Sequence, residues 1–269
     1  MSATECEAAP PARSWLRSVA FPTEHGGWGL TLEPVVLGLL VAPSGAGACI
    51  AGAALVAFLV RTPLKVVLVD RHRRRRLTRT WVAERVVVVE AIALAGLVVA
   101  SAAVADGPFW VPVVIASPLV ALELWFDMRS RSRRLVPELA GAIGVSAVVA
   151  MIVLADGGSG RLAAALWLIL AARVLTSIPW VRAQIARLHG RTRATRGLVV
   201  ADMVALGVAV AAAALDRSVV PGAIAVAAIV VLQRISARGP VPRAAILGAR
   251  QVVAGLVVVV ATAVGVLTA

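Results

Sequence analysis

Glu24 and His25 stand side by side in the stretch FPTEHGGWG at residues 21–29, and Glu33 follows within the apolar run LTLEPVVLGLLVA. A carboxylate beside an imidazole can exchange protons near neutral pH. These three residues are therefore the candidate acid–base groups. Arg61 and Lys65 lie in a second apolar run at a spacing of i, i+4, which places them on one helix face, and Asp70 falls on nearly the same face. Arg173, Ser177 and Arg182 sit in a third run and Asp202 in a fourth. Guanidinium groups make bidentate, charge-assisted bonds to phosphate or carboxylate. Arg61, Lys65, Asp70, Arg173, Ser177, Arg182 and Asp202 are thus the candidates for holding the head of an anionic substrate.

The elements that position these residues are apolar helices. The 269-residue chain is 60% hydrophobic, with a mean hydropathy of +0.92, against about half apolar in a soluble domain. Its Val, Ala, Leu and Ile come in runs long enough to cross ~30 Å of hydrocarbon. The pattern predicts nine transmembrane helices over residues 26–42, 46–69, 81–104, 109–126, 136–155, 161–181, 197–215, 219–235 and 244–268. Pro112 and Pro118 fall in the fourth span, and Pro179 near the end of the sixth predicts a kink or an early stop. The alternating pattern of a membrane β-barrel is absent. The fold class is all-α: a polytopic membrane bundle forming one domain over residues 21–269. A partly disordered cytoplasmic tail covers residues 1–20, of which 13–20 can lie on the membrane surface.

The arginines set the orientation. The segments after spans 2, 4, 6 and 8 carry Arg71, Arg73–Arg76 and Arg79; Arg129, Arg131, Arg133 and Arg134; Arg182, Arg187, Arg191, Arg193 and Arg196; and Arg234, Arg238 and Arg243. The opposite loops carry Arg161 and Arg217 alone. Positive loops stay in the cytoplasm, so the N-terminus is expected inside and the C-terminus outside, in the bacterial inner membrane. The net charge of +13 is therefore a topology signal, not a nucleic-acid surface. Cys6 and Cys49 suggest neither a disulfide nor a metal site. The sequence names no metal ligand and leaves the cofactor unknown, and the partners expected are the bilayer and an anionic or lipid-like small molecule.

The ionisable residues inside the spans gather toward the arginine-rich side. Glu33, Glu84, Glu90, Glu123, Asp127, Glu138 and Asp202 all lie nearer that end, as do the cations Arg61, Lys65, Arg85, Arg173 and Arg250. A charge near the bilayer centre costs about 2.5–3.5 kcal/mol on insertion scales, so such groups face the bundle and pair there. Snorkelling to the headgroups accounts for Arg85 and Arg250. The others predict a polar, basic cavity open to the cytoplasm, with Glu24, His25, Glu33, Arg61, Lys65, Asp70, Arg173, Ser177, Arg182 and Asp202 on its walls. An internal echo points the same way. RTPLK ends span 2, RVLTSIPWVR ends span 6, and each runs into an arginine-rich loop.

PTEHGGWG, RTPLK with Asp70, and RVLTSIPWVR resemble the YwiC-like family of bacterial membrane proteins. More distantly, the nine helices and the stretch Pro34-Val35-Val36-Leu37-Gly38 resemble the UbiA superfamily of intramembrane prenyltransferases. That likeness implies two related halves around a site between the ends of helices 2–3 and 6–7. In that superfamily, two aspartate-rich motifs hold Mg²⁺ there. Here Asp70 is the only acid in the 2–3 loop, and RAQIARLHGRTRATRG in the 6–7 loop has none. One carboxylate is a poor Mg²⁺ cage, so the metal-dependent mechanism does not carry over.

Three functional classes fit these observations. The first is an enzyme or binder for an amphipathic substrate with an anionic head, isoprenoid or quinone-precursor-like; as an enzyme it would be a UbiA-like transferase lacking the Mg²⁺ motifs. The second is a small-anion transporter or permease, against which stands the nearly unlined outer half of the bundle. The third is a non-catalytic membrane assembly factor, which leaves the embedded charges unexplained. The topology has its own test. In a variant freed of Cys6 and Cys49, a cysteine at Arg191 stays shielded from a membrane-impermeant maleimide in intact cells and one at Gly158 is labelled; the reverse pattern overturns the orientation.

Overall fold

The computed structural model describes residues 25–75, 77–129, 134–191 and 195–269. The expected tail over residues 1–20 and the acid Glu24 lie outside the described residues. Among the described residues ten α-helices form, and they stand where the nine spans were expected: α1 (His25–Val41), α2 (Gly45–His72), α3 (Thr78–Val104), α4 (Trp110–Met128), α5 (Leu135–Ser146) with α6 (Val148–Ala155), α7 (Gly160–Leu188), α8 (Thr195–Leu215), α9 (Val220–Ser236) and α10 (Ala244–Leu267). Eight spans are long and apolar enough to cross a membrane, and Gly27–Val41 of α1 is a shorter apolar helix. The chain is an all-helical, multi-pass membrane protein. Its helices are apolar on faces that no other helix covers, which is the pattern of a lipid-bathed bundle.

Polar residues cap the helix starts on the side poor in arginine. Ser44 Oγ accepts from Gly47 N at 3.0 Å to start α2, and Ser159 Oγ accepts from Leu162 N at 3.1 Å to start α7. Arg161 donates through Nη2 to the Leu215 carbonyl at 2.9 Å. A cation thereby meets the negative end of α8, which gives this arginine of the arginine-poor side a structural role.

Two spans depart from the simple reading. The fifth is broken at Ala147, and the cause is local. The Ile143 carbonyl accepts the Trp167 indole N–H at 2.9 Å and the Ser146 hydroxyl at 2.7 Å. The Ala147 amide bonds instead to Gly144 O at 3.1 Å, an i→i−3 contact that tightens the turn. In the sixth span the expected stop at Pro179 does not occur. Helix α7 runs nine residues past it to Leu188. Pro179 is buried among neighbouring helices, and tertiary packing holds a membrane helix together through the lost amide bond. The same answer serves Ser117 in α4, whose hydroxyl donates to Val114 O at 2.8 Å, the carbonyl that Pro118 leaves without its helical partner.

Helix α7 is the centre of the bundle. Leu166, Ile169, Leu170 and Val174 pack into the core with Leu37 of α1, Ile50 of α2, Ile152 of α6, Val226 of α9 and Val258 of α10. Span 2 packs most extensively on span 3 and span 6 on span 7, while spans 4 and 5 pair as do 8 and 9. Neighbour pairing thus repeats with a period of four spans. Helix α1 closes the ring by packing on α10. Close approach depends on small residues: a side chain at Gly222 of α9 would collide with Thr262 of α10. Accordingly Gly222→Val is expected to cost about 1–3 kcal/mol in detergent unfolding, whereas Gly96→Val, which meets nothing within 4 Å, leaves the midpoint unchanged.

Candidate functional site

Among the described residues the embedded ion pairs sort into five groups, beside one more exposed pair between α2 and α3, Arg71 Nη2 to Glu84 Oε1 at 2.9 Å. On α2, Arg61 Nη2 lies 2.5 Å from Glu123 Oε1 and 3.6 Å from Asp127 Oδ2 of α4, and Lys65 Nζ lies 3.1 Å from Asp127 Oδ1. Both helices present their charges at a spacing of i, i+4, so two cations meet two carboxylates face to face. Gly141 of α5 makes room for this: a side chain there would collide with the Glu123 carboxylate. Arg61 and Lys65 keep 37% and 36% of their side-chain surface exposed, against 1% for Asp127.

Asp70, at the end of α2, belongs to a second group. It accepts from Arg79 Nη2 at 3.0 Å and from the Thr80 hydroxyl at 2.7 Å, which staples α2 to the start of α3. In the third group, Arg182 of α7 donates to Glu138 Oε2 of α5 at 2.7 Å. The fourth ties α8 to α9 and α7. Asp202 Oδ2 accepts from Arg234 Nε at 2.6 Å, and the Thr176 hydroxyl lies 3.2 Å from Asp202 Oδ1 and 2.9 Å from Gln233 Oε1. One hydroxyl proton cannot serve both acceptors. Turning the Gln233 amide over lets its N–H donate to Thr176, whose proton then goes to Asp202, and occupies a buried nitrogen otherwise without a partner.

The fifth group is deepest. Arg173 sits near the middle of α7, four turns from its end at Leu188, deeper than the sixth span of the sequence reading implied. It is 1% exposed. Its Nη2 donates to the Gln251 carbonyl of α10 at 2.7 Å and lies 3.7 Å from Glu33 Oε1 of α1. That last distance is an ion pair without a hydrogen bond. Arg173 Nε and Nη1 and Gln251 Oε1 are buried and make no hydrogen bond among the described residues. Glu33 has its place because α10 carries Gly255, where any side chain would collide with the carboxylate.

The sequence candidates are thus placed as follows. Arg61 and Lys65 come together, and Glu33 meets Arg173. Asp70, Arg182 and Asp202 each join a separate group. Ser177 is buried and its hydroxyl donates to Val174 O of its own helix at 3.3 Å. Helix α1 starts at His25, and nothing is described of that side chain. Gly27 and Trp28 have clear roles, since a side chain at Gly27 would crowd Phe58 and Trp28 packs edge-on against the same ring with centroids 4.9 Å apart. Arg85 and Arg250 are exposed, in keeping with snorkelling. Sequence reasoning passed over Glu123, Asp127, Glu138 and Arg234 as partners. The i, i+4 spacing of Glu123 and Asp127, matching that of Arg61 and Lys65, was the available signal. Among the described residues no three His, Cys, Asp or Glu side chains converge to hold a metal.

Residues 21–153 match the family model described as YwiC-like protein, so the chain is YwiC-like over this stretch. PTEHGGWG and RTPLK lie inside it and RVLTSIPWVR beyond it. Comparison with curated proteins and with solved structures gives no match. The Asp202–Arg234 group offers a direct check on the pairing. Arg234→Ala strands a carboxylate that is 9% exposed and is expected to cost about 3 kcal/mol; the double variant with Asp202→Leu recovers most of that loss in thermal unfolding.

Proposed function

We propose that this YwiC-like membrane protein binds an amphipathic molecule with an anionic head, isoprenoid or quinone-precursor-like, from the cytoplasmic leaflet of the bacterial inner membrane. One observation carries the reading. Arg61 and Lys65 stand in a membrane-spanning helix yet keep more than a third of their side-chain surface exposed, while the carboxylate they share, Asp127, is sealed. Helix α2 packs on both α3 and α4 at this face. An anionic head arriving there meets two cations one helical turn apart, and its tail finds the bare apolar faces of α3 and α4, where Val88, Val89, Ile92, Val114 and Ile115 are exposed.

Arg182 is the next cation available to a head group, being part-exposed beside Glu138. Asp70 and Asp202 are buried against their own arginine partners and act on this reading as supports for the helix ends. Of the acid–base candidates, Glu33 is sealed beside Arg173, which leaves Glu24 and His25 should the bound molecule be modified. Purification of the wild type and of Arg61→Ala/Lys65→Ala in mild detergent, followed by mass spectrometry of the co-purifying lipids, tests the reading. The wild type is expected to carry an anionic amphipath that the variant loses. The same bulk phospholipid in both, and nothing else, overturns it.

A further inference from the structure

The Arg173 group is separate from the Arg61–Lys65 face, and its chemistry differs. Its open valences are two guanidinium nitrogens and one amide oxygen, all buried, contributed by α7 and α10. Buried polar groups of this kind are normally satisfied, and an unfilled one costs about 1–3 kcal/mol, more when charged. The occupant they call for presents acceptor oxygens to Arg173 and one hydroxyl donor to Gln251.

Charge narrows the choice. Arg173 and Glu33 sum to zero, and Arg173 lies about 20 Å from either end of α7. A phosphate or diphosphate would bring up to several uncompensated negative charges to this depth, where each is expensive. A carboxyl group fits. Its planar pair of oxygens matches the guanidinium edge, and as the acid it supplies the one hydroxyl that Gln251 Oε1 can accept. With the proton on the ligand and Glu33 ionised beside Arg173, the site stays neutral.

Access comes from the side of α10. Gln251 is half-buried, while Arg173 and Glu33 are sealed. Val252 and Val253, which follow Gln251 in α10, Leu256 of the same helix and Leu32, which precedes Glu33 in α1, are exposed apolar residues, so an alkyl chain can remain in lipid while its head reaches inward. We infer that Arg173, Glu33 and Gln251 form a mid-membrane binding site for the carboxyl head of a long-chain carboxylic acid. This shares with the proposed function only the premise that the bundle takes amphipathic ligands.

The test uses the full-length protein in mild detergent with three probes of equal chain length: palmitic acid, hexadecyl phosphate and hexadecanol. Thermal stabilisation by palmitic acid alone is expected. Gln251→Leu and Arg173→Gln should each weaken it about tenfold, the loss of one good hydrogen-bonded contact, and a photoreactive palmitic acid should label α1, α7 or α10. Equal responses to palmitic acid and hexadecyl phosphate overturn the inference, as does a palmitic acid response unchanged in Gln251→Leu. A wild type that responds to none of the probes also overturns it, the open valences then holding water alone. If Arg173→Gln does not fold, Gln251→Leu and the labelling decide. Arg61→Ala/Lys65→Ala separates the two readings: it should lose the co-purifying anionic lipid and keep the palmitic acid response.

Discussion

A charge inside hydrocarbon has to find its opposite, and the architecture follows from that requirement. Each embedded carboxylate of the five groups reaches across to a cation of another helix: Glu123 and Asp127 from α4 to α2, Asp70 from α2 to Arg79 of α3, Glu138 from α5 to α7, Asp202 from α8 to α9 and Glu33 from α1 to α7. Apolar packing alone sets helix register weakly in lipid, because lipid tails are as apolar as leucine. A displaced helix would strand charges, so these pairs specify which helices are neighbours and at what height. They need not add stability beyond a well-packed apolar alternative. Their contribution is to exclude other packings.

The glycines belong to the same device. Gly141 and Gly255 lie where a side chain would occupy the positions of the Glu123 and Glu33 carboxylates. In each case a helix without a side chain at one point lets a glutamate fold against its backbone, with the arginine partner on a third helix. The two arrangements differ in how completely they are filled. The Arg61–Lys65 group has as many carboxylates as cations within ion-pair distance and faces outward. Arg173 is sealed, has one carboxylate at 3.7 Å, and retains two buried donors without a hydrogen bond. That contrast separates a part-exposed, charge-balanced group from a sealed one with unfilled donors.

Proline and tryptophan shape the helices that carry these groups. Pro179 leaves α7 continuous because the bundle surrounds it, and the continuous helix puts Arg173 near its middle rather than near its end. Ala147 breaks the fifth span although its proline, Pro137, is ten residues away, because Trp167 and Ser146 both claim the Ile143 carbonyl. Local sequence rules govern where a helix in lipid bends only when nothing nearby supplies or removes a backbone partner.

The sequence by itself determined the class of fold, the bounds of the apolar helices to within a few residues except at the end of the sixth span, which runs on to Leu188, and the crowding of ionisable groups toward one end. Hydropathy and length are local properties, and the absence of water in the bilayer turns them directly into helices. It also showed that Arg61 and Lys65 share a face, since i, i+4 spacing is a property of one helix. Partner choice was beyond its reach. That Glu33 meets Arg173 and Asp202 meets Arg234, that Asp70 serves the start of α3, and that Arg173 keeps open donors depends on which helices pack side by side. Those contacts join residues far apart in the chain through side chains on different spans. Only the tertiary structure decides them, because the free energy of an embedded charge depends on what lies across the interface and not on its own neighbours in sequence.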